Sequence, residues 1–80
     1  MAIATGPVAA KLSARRRLPA PAMRKAIRVQ AQATQADLAS LLHVQPETIC
    51  RWESGTRTPS GRHLVRYVEL LDELQEIGAS

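Results

Sequence analysis

Residues 34–55 read TQADLASLLHVQPETICRWESG and have the pattern of two short helices with a break between them. Thr34 is a good N-cap, and Asp37 three residues later gives a capping-box-like pair, with Asp in place of the usual Glu or Gln. The buried face of the first helix is predicted to consist of three leucines: Leu38, Leu41 and Leu42. Neither helix is long enough to be stable alone, so the rest of the chain must hold both.

The break between the two helices falls at His43, where the chain must turn sharply. Histidine is among the non-glycine residues that tolerate a positive φ, so we expect a left-handed backbone conformation there. Pro46 suits the first position of a new helix, and Gly55 can adopt the left-handed conformation that ends one. The second helix is therefore predicted to run from Pro46 to Ser54.

The second helix divides its side chains between two faces when they are placed at about 100° per residue. Ile49 and Trp52 fall on one side and are expected to lock the helix to its neighbours. The opposite side is presented outward and carries Glu47, Cys50, Arg51 and Ser54. Arg51 can make a bidentate bond to guanine, and Glu47 can accept a bond from cytosine. A short surface helix whose polar face meets only water would show the same pattern.

These segments together resemble the Cro/C1-type helix-turn-helix family of phage repressors and bacterial regulators, also called XRE-like. The resemblance rests on QADLA at residues 35–39, on Val44, on ICRWESG at residues 49–55 and on Pro59. It covers about residues 22–74 and implies a compact bundle of about five short helices, a lambda-repressor-like DNA-binding domain. His43 departs from the family because a glycine is usual at the turn. Glu47 departs because it places an acid against a polyanion.

The resemblance implies a role on double-stranded DNA for each matching residue. Base edges in the major groove would be read by Gln45, Pro46, Glu47, Thr48 and Arg51. The sugar-phosphate backbone would be contacted by Thr34, Gln35, Ser54, Arg57 and Thr58. Arg28 and Glu53 match a partly buried ion pair that ties the first core helix to the recognition helix. Deleting one partner of such a pair would leave a buried charge at a cost of several kcal/mol.

Composition independently favours a single all-α domain. The chain has 80 residues, no Phe, one Trp and one Tyr, which is enough for one domain and too few for two. Ala, Leu, Arg, Gln and Glu dominate, and these residues favour helices packed through small side chains. No apolar run reaches membrane-spanning length. The chain is therefore expected to be intracellular, and the resemblance implies a cytoplasmic, nucleoid-associated protein of a bacterial host.

Enzymatic activity is not expected from this sequence. Cys50 is the only cysteine, so it cannot form an internal disulfide or build a metal site by itself. His43 and His63 lack a metal-binding or acid–base constellation around them. We expect no metal, no cofactor and no small-molecule substrate.

The net charge of +4 is unevenly distributed along the chain. Residues 1–22 carry +4 and residues 23–59 carry +2, whereas residues 60–80 carry −2. The front two-thirds could therefore face a polyanion while the tail faces away from it. We assign residues 1–18 to a basic N-terminal arm or short helix and residues 19–80 to the helix-turn-helix domain. The arm's arginines could grip phosphates or enter the minor groove, or form a solvated helix face: Arg15, Arg16 and Arg17.

The last helix is predicted over residues 60–77 and carries apolar residues over too wide an arc for one buried face. One stripe suits the domain core: Leu64, Tyr67, Val68 and Leu71. A second stripe is rotated from it by roughly 100°: Leu70, Leu74 and Ile77. We expect the second stripe to bury against its copy in a two-fold dimer, although it could instead cover the N-terminal helix of the same chain.

The combined prediction is a sequence-specific transcriptional regulator that binds double-stranded DNA, of the Cro-like or repressor kind found in phages and mobile elements. It would act as a homodimer on a palindromic operator, with half-sites about one DNA turn apart. The alternative is an antitoxin-type protein, whose tail covers a toxin while its front half represses its own promoter. An uncovered leucine stripe would favour that alternative.

Overall fold

The computed structural model describes residues 6–79, all of whose regular structure is helical. The five helices are α1 (Pro7–Arg17), α2 (Pro21–Gln30), α3 (Gln35–Leu42), α4 (Pro46–Ser54) and α5 (Gly61–Ala79). The prediction of an all-α bundle of about five helices is confirmed, and the bounds of α4 are those expected. The last helix was predicted over residues 60–77; it begins one residue later and ends two residues later than predicted.

The starts of the first four helices follow from local sequence. Pro7, Pro21 and Pro46 each stand in the first turn of a helix, where the preset φ of proline is favourable and its missing N–H costs nothing. α3 begins instead with the predicted capping box. The hydroxyl of Thr34 accepts a bond from the backbone N–H of Asp37 at 3.0 Å. The Asp37 carboxylate accepts one from the backbone N–H of Thr34 at 2.9 Å.

Left-handed backbone conformations end both helices of the central pair, as predicted. His43 follows α3 with a φ of 57°, and Gly55 follows α4 with a φ of 83°. Gly55 is also closely approached, since a Cβ at this position would lie 3.1 Å from Cγ of Pro21. Glycine is therefore required at residue 55 for its conformation and for its lack of a side chain.

The main core lies where α2, α3, α4 and α5 meet. Its buried members are Ile27, Leu38, Ala39, Leu42, Ile49, Trp52, Tyr67, Leu70, Leu71 and Leu74. Val44, in the turn between α3 and α4, packs against this cluster. The prediction that Leu41 lies on the buried face of α3 is wrong, because this residue is 55% exposed.

α1 packs against α5 through a second, smaller apolar cluster of Ala14, Leu64 and Val68. On its outer side Val8 is 70% exposed and Leu12 is 54% exposed. Residues 7–17 of the predicted arm are therefore helical, while residues 1–5 lie outside the described part of the chain.

The prediction that the second apolar stripe of α5 is a free surface for a dimer is wrong. Leu70 and Leu74 are only 9% and 6% exposed within this one chain, and only Ile77 is open, at 57%. Leu70 and Leu74 belong to the main core, so they do not cover α1 either. The apolar arc of α5 is wide because the helix is packed by α1 on one side and by the main core on another.

Candidate nucleic-acid interface

α4 is held by one face and presents the other, as its sequence pattern predicts. Ile49, Trp52 and Glu53 are 0%, 5% and 6% exposed. The side chains of the other face are all exposed: Glu47, Cys50, Arg51 and Ser54. The Trp52 ring packs against Tyr67 of α5 with 4.8 Å between ring centroids. The backbone of α4 is therefore anchored from behind while its outer face remains accessible.

The predicted ion pair between Arg28 and Glu53 is present behind α4. Arg28 Nε donates to Glu53 Oε2 at 2.6 Å, and Nη2 donates to Oε1 at 3.0 Å, so the two planar groups meet in a fork. Arg28 Nη1 also donates to the carbonyl oxygen of Ala33 at 2.9 Å. The hydrogen bond with Glu53 raises the pKa of Arg28, so the guanidinium stays charged. It joins α2 to the last turn of α4.

Gln35, predicted to contact a DNA phosphate, is used partly inside the domain. Its Nε2 donates to Glu53 Oε1 at 3.1 Å. A side-chain amide has a second N–H and an acceptor oxygen besides this bond. Gln35 therefore connects the start of α3 to the buried pair, a link that the sequence did not reveal.

Arg24 is a buried residue that sequence reasoning missed. It is 7% exposed; its Nε donates to the carbonyl oxygen of Pro19 at 2.7 Å, and its Nη1 to that of Trp52 at 2.8 Å. Burial lowers the pKa of Arg24. A signal was available in the sequence, because Arg24 precedes Arg28 by four residues and so shares its inward face of α2.

Two of the residues predicted to read bases contact each other on the outer face of α4. The Arg51 guanidinium lies 3.7 Å from the carboxylate of Glu47, one turn earlier. Both side chains are well exposed, and such an i,i+4 pair is worth only about 0.3–0.5 kcal/mol. The pair can therefore open readily for another partner.

The remaining residues predicted to read bases lie at the start of α4. Gln45 is its N-cap residue and Pro46 its first residue, and both are exposed. Thr48 is half-buried, at the edge of a cleft of about 430 Å³ between α4 and the start of α5. The structure therefore places these three residues together at the start of α4, beside its outer face.

The loop after α4 forms the other wall of that cleft. Arg57 and Thr58 are exposed and line it together with Thr48, Arg51 and His63. The hydroxyl of Ser54 lies 2.6 Å from that of Thr56 and 3.1 Å from the carbonyl oxygen of Arg51. The predicted backbone-contacting residues of the loop therefore adjoin the outer face of α4.

Basic residues continue beyond the cleft. A neighbouring hollow of about 330 Å³ shares His63 and is lined by His43, Arg62 and Arg66 besides Leu42. Arg62 and Arg66 form no ion pair with another described residue. The exposed surface from α4 to the first turns of α5 is therefore suited to a polyanion.

The arginines of α1 are not gathered at this surface. Arg17 Nη2 lies 3.5 Å from the Asp72 carboxylate of α5, and Arg15 and Arg16 are exposed elsewhere on α1. No α1 residue lines the cleft or the neighbouring hollow. The structure therefore separates these arginines from the predicted base-reading residues.

α4 is packed on its inner face and exposed on its outer face, and a short helix, α3, precedes it across a tight turn. This arrangement defines the helix-turn-helix class of DNA-binding domains. A family model described as helix-turn-helix matches residues 25–77, more than half of the chain. The chain belongs to this family, as a DNA-binding regulator of the XRE-like, Cro/C1 type, and the resemblance inferred from the sequence is confirmed. No curated protein and no solved structure matches it.

The described residues contain neither a metal-binding cluster nor a membrane-spanning helix. Within residues 6–79, no group of His, Cys, Asp and Glu side chains could hold a metal ion. The thiol of Cys50 is free and exposed on the outer face of α4. No helix in that range is long and apolar enough to cross a membrane.

Proposed function

We propose that this protein is a sequence-specific transcriptional regulator that reads the major groove of double-stranded DNA with the outer face of α4. The observation that carries the proposal is the division of this helix. Ile49, Trp52 and Glu53 hold its backbone in the core, while Arg51 keeps about half of its side chain exposed on the opposite face. Base recognition requires this combination, because hydrogen bonds to base edges tolerate only small errors in position.

The side chains that would contact base edges extend over about one and a half turns of α4: Gln45, Pro46, Glu47, Thr48 and Arg51. Arg51 suits the O6 and N7 acceptors of guanine, and Glu47 suits the N4 donor of cytosine. On binding, the weak ion pair between Arg51 and Glu47 would break, and Arg51 would form hydrogen bonds to guanine instead. Glu47 would repel phosphates of unrelated sequences, which sharpens base choice at the expense of non-specific affinity.

Backbone contacts would come from the two ends of the motif. The start of α3 supplies Thr34 and Gln35, and the loop after α4 supplies Ser54, Arg57 and Thr58. The capping box occupies the N–H groups of Thr34 and Asp37, so a phosphate at the start of α3 would meet the other N–H groups of the first turn and the positive end of the helix dipole. Arg57 adds a full positive charge at the cleft beside Arg51. These contacts would set the position of the protein along the duplex.

We propose further that the protein acts as a homodimer on a palindromic operator, in a Cro-like or repressor role such as phages and mobile elements use. Leu70 and Leu74 cannot supply the contact, because they are buried within one chain. Met23 is exposed and lines a mainly apolar groove between α2 and the end of α5. Ile77, in the last turn of α5, is exposed as well. This end of α5 carries the acidic residues, so it suits contact with protein rather than DNA.

The structure gives no support to the antitoxin alternative. That alternative depended on a leucine stripe left uncovered on α5, and Leu70 and Leu74 are covered by the chain's own core. The DNA-reading role is the one that the geometry of α4 favours.

Selection of bound sites from random duplex DNA tests the proposal. The wild type should enrich a palindrome, and Arg51→Ala should lose roughly tenfold in discrimination at one base pair of each half-site, within the range for a lost bidentate contact. Lys25→Ala is the control, because it removes one exposed positive charge from α2 and should keep the preferred sequence. A wild type that enriches no sequence, or an Arg51→Ala variant with unchanged preference, would contradict the proposal.

A further inference from the structure

A buried guanidinium connects the linker between α1 and α2 to the end of α4. The linker, residues 18–20, forms a proline strap together with Pro21, the first residue of α2; the strap has the sequence LPAP. Arg24 donates from Nε to the carbonyl oxygen of Pro19 in this strap and from Nη1 to the carbonyl oxygen of Trp52 in α4. The second bond joins residues 28 apart in sequence and is buried. One side chain therefore holds two otherwise distant segments together.

The bond to Trp52 acts on the backbone of α4 rather than on a side chain. The last four carbonyl groups of a helix lack an intrahelical partner, and Trp52 belongs to the last four residues of α4. A positive charge near a helix C-terminus also complements the helix dipole. Arg24 therefore completes the C-terminal end of α4 from inside the domain.

The proline strap makes a second contact with the same end of α4. Pro21 lies so close to Gly55 that a Cβ at residue 55 would come within 3.1 Å of the Pro21 ring. Between these contacts, Glu53 is held by Arg28. The end of α4 is thus fixed at residues 52, 53 and 55 by α2 and the strap.

Stability alone does not account for a buried arginine at this position. Arg24 forms no ion pair with any residue in 6–79, and its charge is compensated by carbonyl dipoles rather than by a carboxylate. Packed apolar residues are often as stabilising as buried charged groups, or more so. What the guanidinium supplies in addition is direction, because its planar fork bonds two carbonyl groups at a defined geometry.

We propose that Arg24 is a positioning residue for sequence readout, which sets the orientation of α4 by holding its C-terminal end against the proline strap. This inference rests on the proposed DNA-reading role of α4. Arg51 directly precedes Trp52, so a rotation or shift at the Trp52 carbonyl moves the Arg51 side chain relative to the bases. Arg24 itself is buried and contributes no contact to DNA.

The test compares Arg24→Met with Lys25→Met, which removes the same charge from an exposed position of the same helix. The dissociation constants for the selected operator and for a scrambled duplex are measured at equal salt. Arg24→Met should reduce the ratio of specific to non-specific affinity about tenfold, comparable to a lost base contact. Its salt dependence on scrambled DNA should remain that of the wild type, because no phosphate contact is removed. Lys25→Met should preserve the ratio.

Two milder variants cover the possibility that Arg24→Met fails to fold, which circular dichroism would reveal. Arg24→Lys keeps the charge but loses the planar fork, and Pro21→Ala removes the ring that lies against Gly55. Each should lower the specificity ratio by a factor of about three to five, within the range for a weakened base contact. Folded variants that retain the ratio of the wild type would overturn the role of Arg24. A wild type with no sequence preference would instead overturn the proposed function itself.

Discussion

Glu53 is the residue at which the polar contacts behind α4 converge. Its carboxylate accepts bonds from two nitrogens of Arg28 and from the amide of Gln35, so α2, α3 and α4 all meet at one buried group. The arrangement explains how a helix of only nine residues keeps a defined position, since helices of this length are marginal alone.

Tyr67 is a second residue whose environment has a measurable consequence. Its side chain is fully buried, and its hydroxyl has no hydrogen-bond partner among the described residues. Burial raises the pKa of Tyr67 from 10.0 to about 12, with a further contribution from the nearby negative charge of Glu53. The folded state therefore holds the phenolic proton more tightly than the unfolded chain does.

We expect the free energy of unfolding to contain a contribution from Tyr67 that is complete below pH 10 and is lost as the pH rises toward 12. A shift of this size corresponds to about 2–3 kcal/mol. The measurement is urea unfolding from pH 9 to pH 12 for the wild type and Tyr67→Phe, a substitution that removes the titrating group and keeps the ring. The wild type should lose more stability than the variant over this interval. Parallel curves would contradict the expectation.

At the scale of elements, the turn between α3 and α4 carries the main departure from the family pattern. His43 has a left-handed conformation that costs a non-glycine residue roughly 1–2 kcal/mol. The backbone N–H of Val44 nevertheless donates to the carbonyl oxygen of Ala39 at 3.0 Å, so the turn closes normally. The conformational cost at His43 should therefore lower the stability of the turn without opening this hydrogen bond.

Substitution of His43 separates conformational strain from side-chain effects. His43→Gly should be more stable than His43→Ala by about 1 kcal/mol, because glycine adopts a positive φ without steric cost. Thermal unfolding of the two variants gives the difference. Neither variant retains the imidazole, so the comparison reports the backbone alone. Equal melting temperatures would show that the turn carries no such strain in solution.

At the scale of the whole molecule, charge and packing divide the bundle into two ends. The basic cleft and the outer face of α4 lie at the start of α5, and the acidic residues lie toward its C-terminal end: Glu69, Asp72, Glu73 and Glu76. A polyanion would be attracted to the first end and repelled from the second.

The proposed dimer is tested at this scale by sedimentation. Ile77→Glu places a charge on the exposed end of α5 and should shift the wild-type dimer toward monomer, with at least a tenfold weaker association for a buried charge without a partner. Val8→Glu is the control, since Val8 is a similarly exposed apolar residue on α1. A monomeric wild type, or an Ile77→Glu variant that associates as strongly, would show that the end of α5 is not the interface.

Local patterns determined the helix-turn-helix segment with little ambiguity. The capping box at Thr34, the left-handed His43, the span of α4 and its two faces all follow from short-range rules, and each is present. The pairing of Arg28 with Glu53 came from the resemblance rather than from the pattern. Which bases the outer face contacts stays a prediction.

Only tertiary packing decided the role of α5 and of Arg24. A helical wheel places Leu70 and Leu74 on an apolar face but does not show what covers that face. A dimer partner and the chain's own core would both fit the same pattern. The burial of Arg24 likewise depends on the backbone carbonyl groups of Pro19 and Trp52. Every residue has such a group, so the pattern of side chains cannot show which ones Arg24 will bond. Neighbouring residues determine local secondary structure, whereas the packing of segments that are distant in sequence determines what covers a buried face.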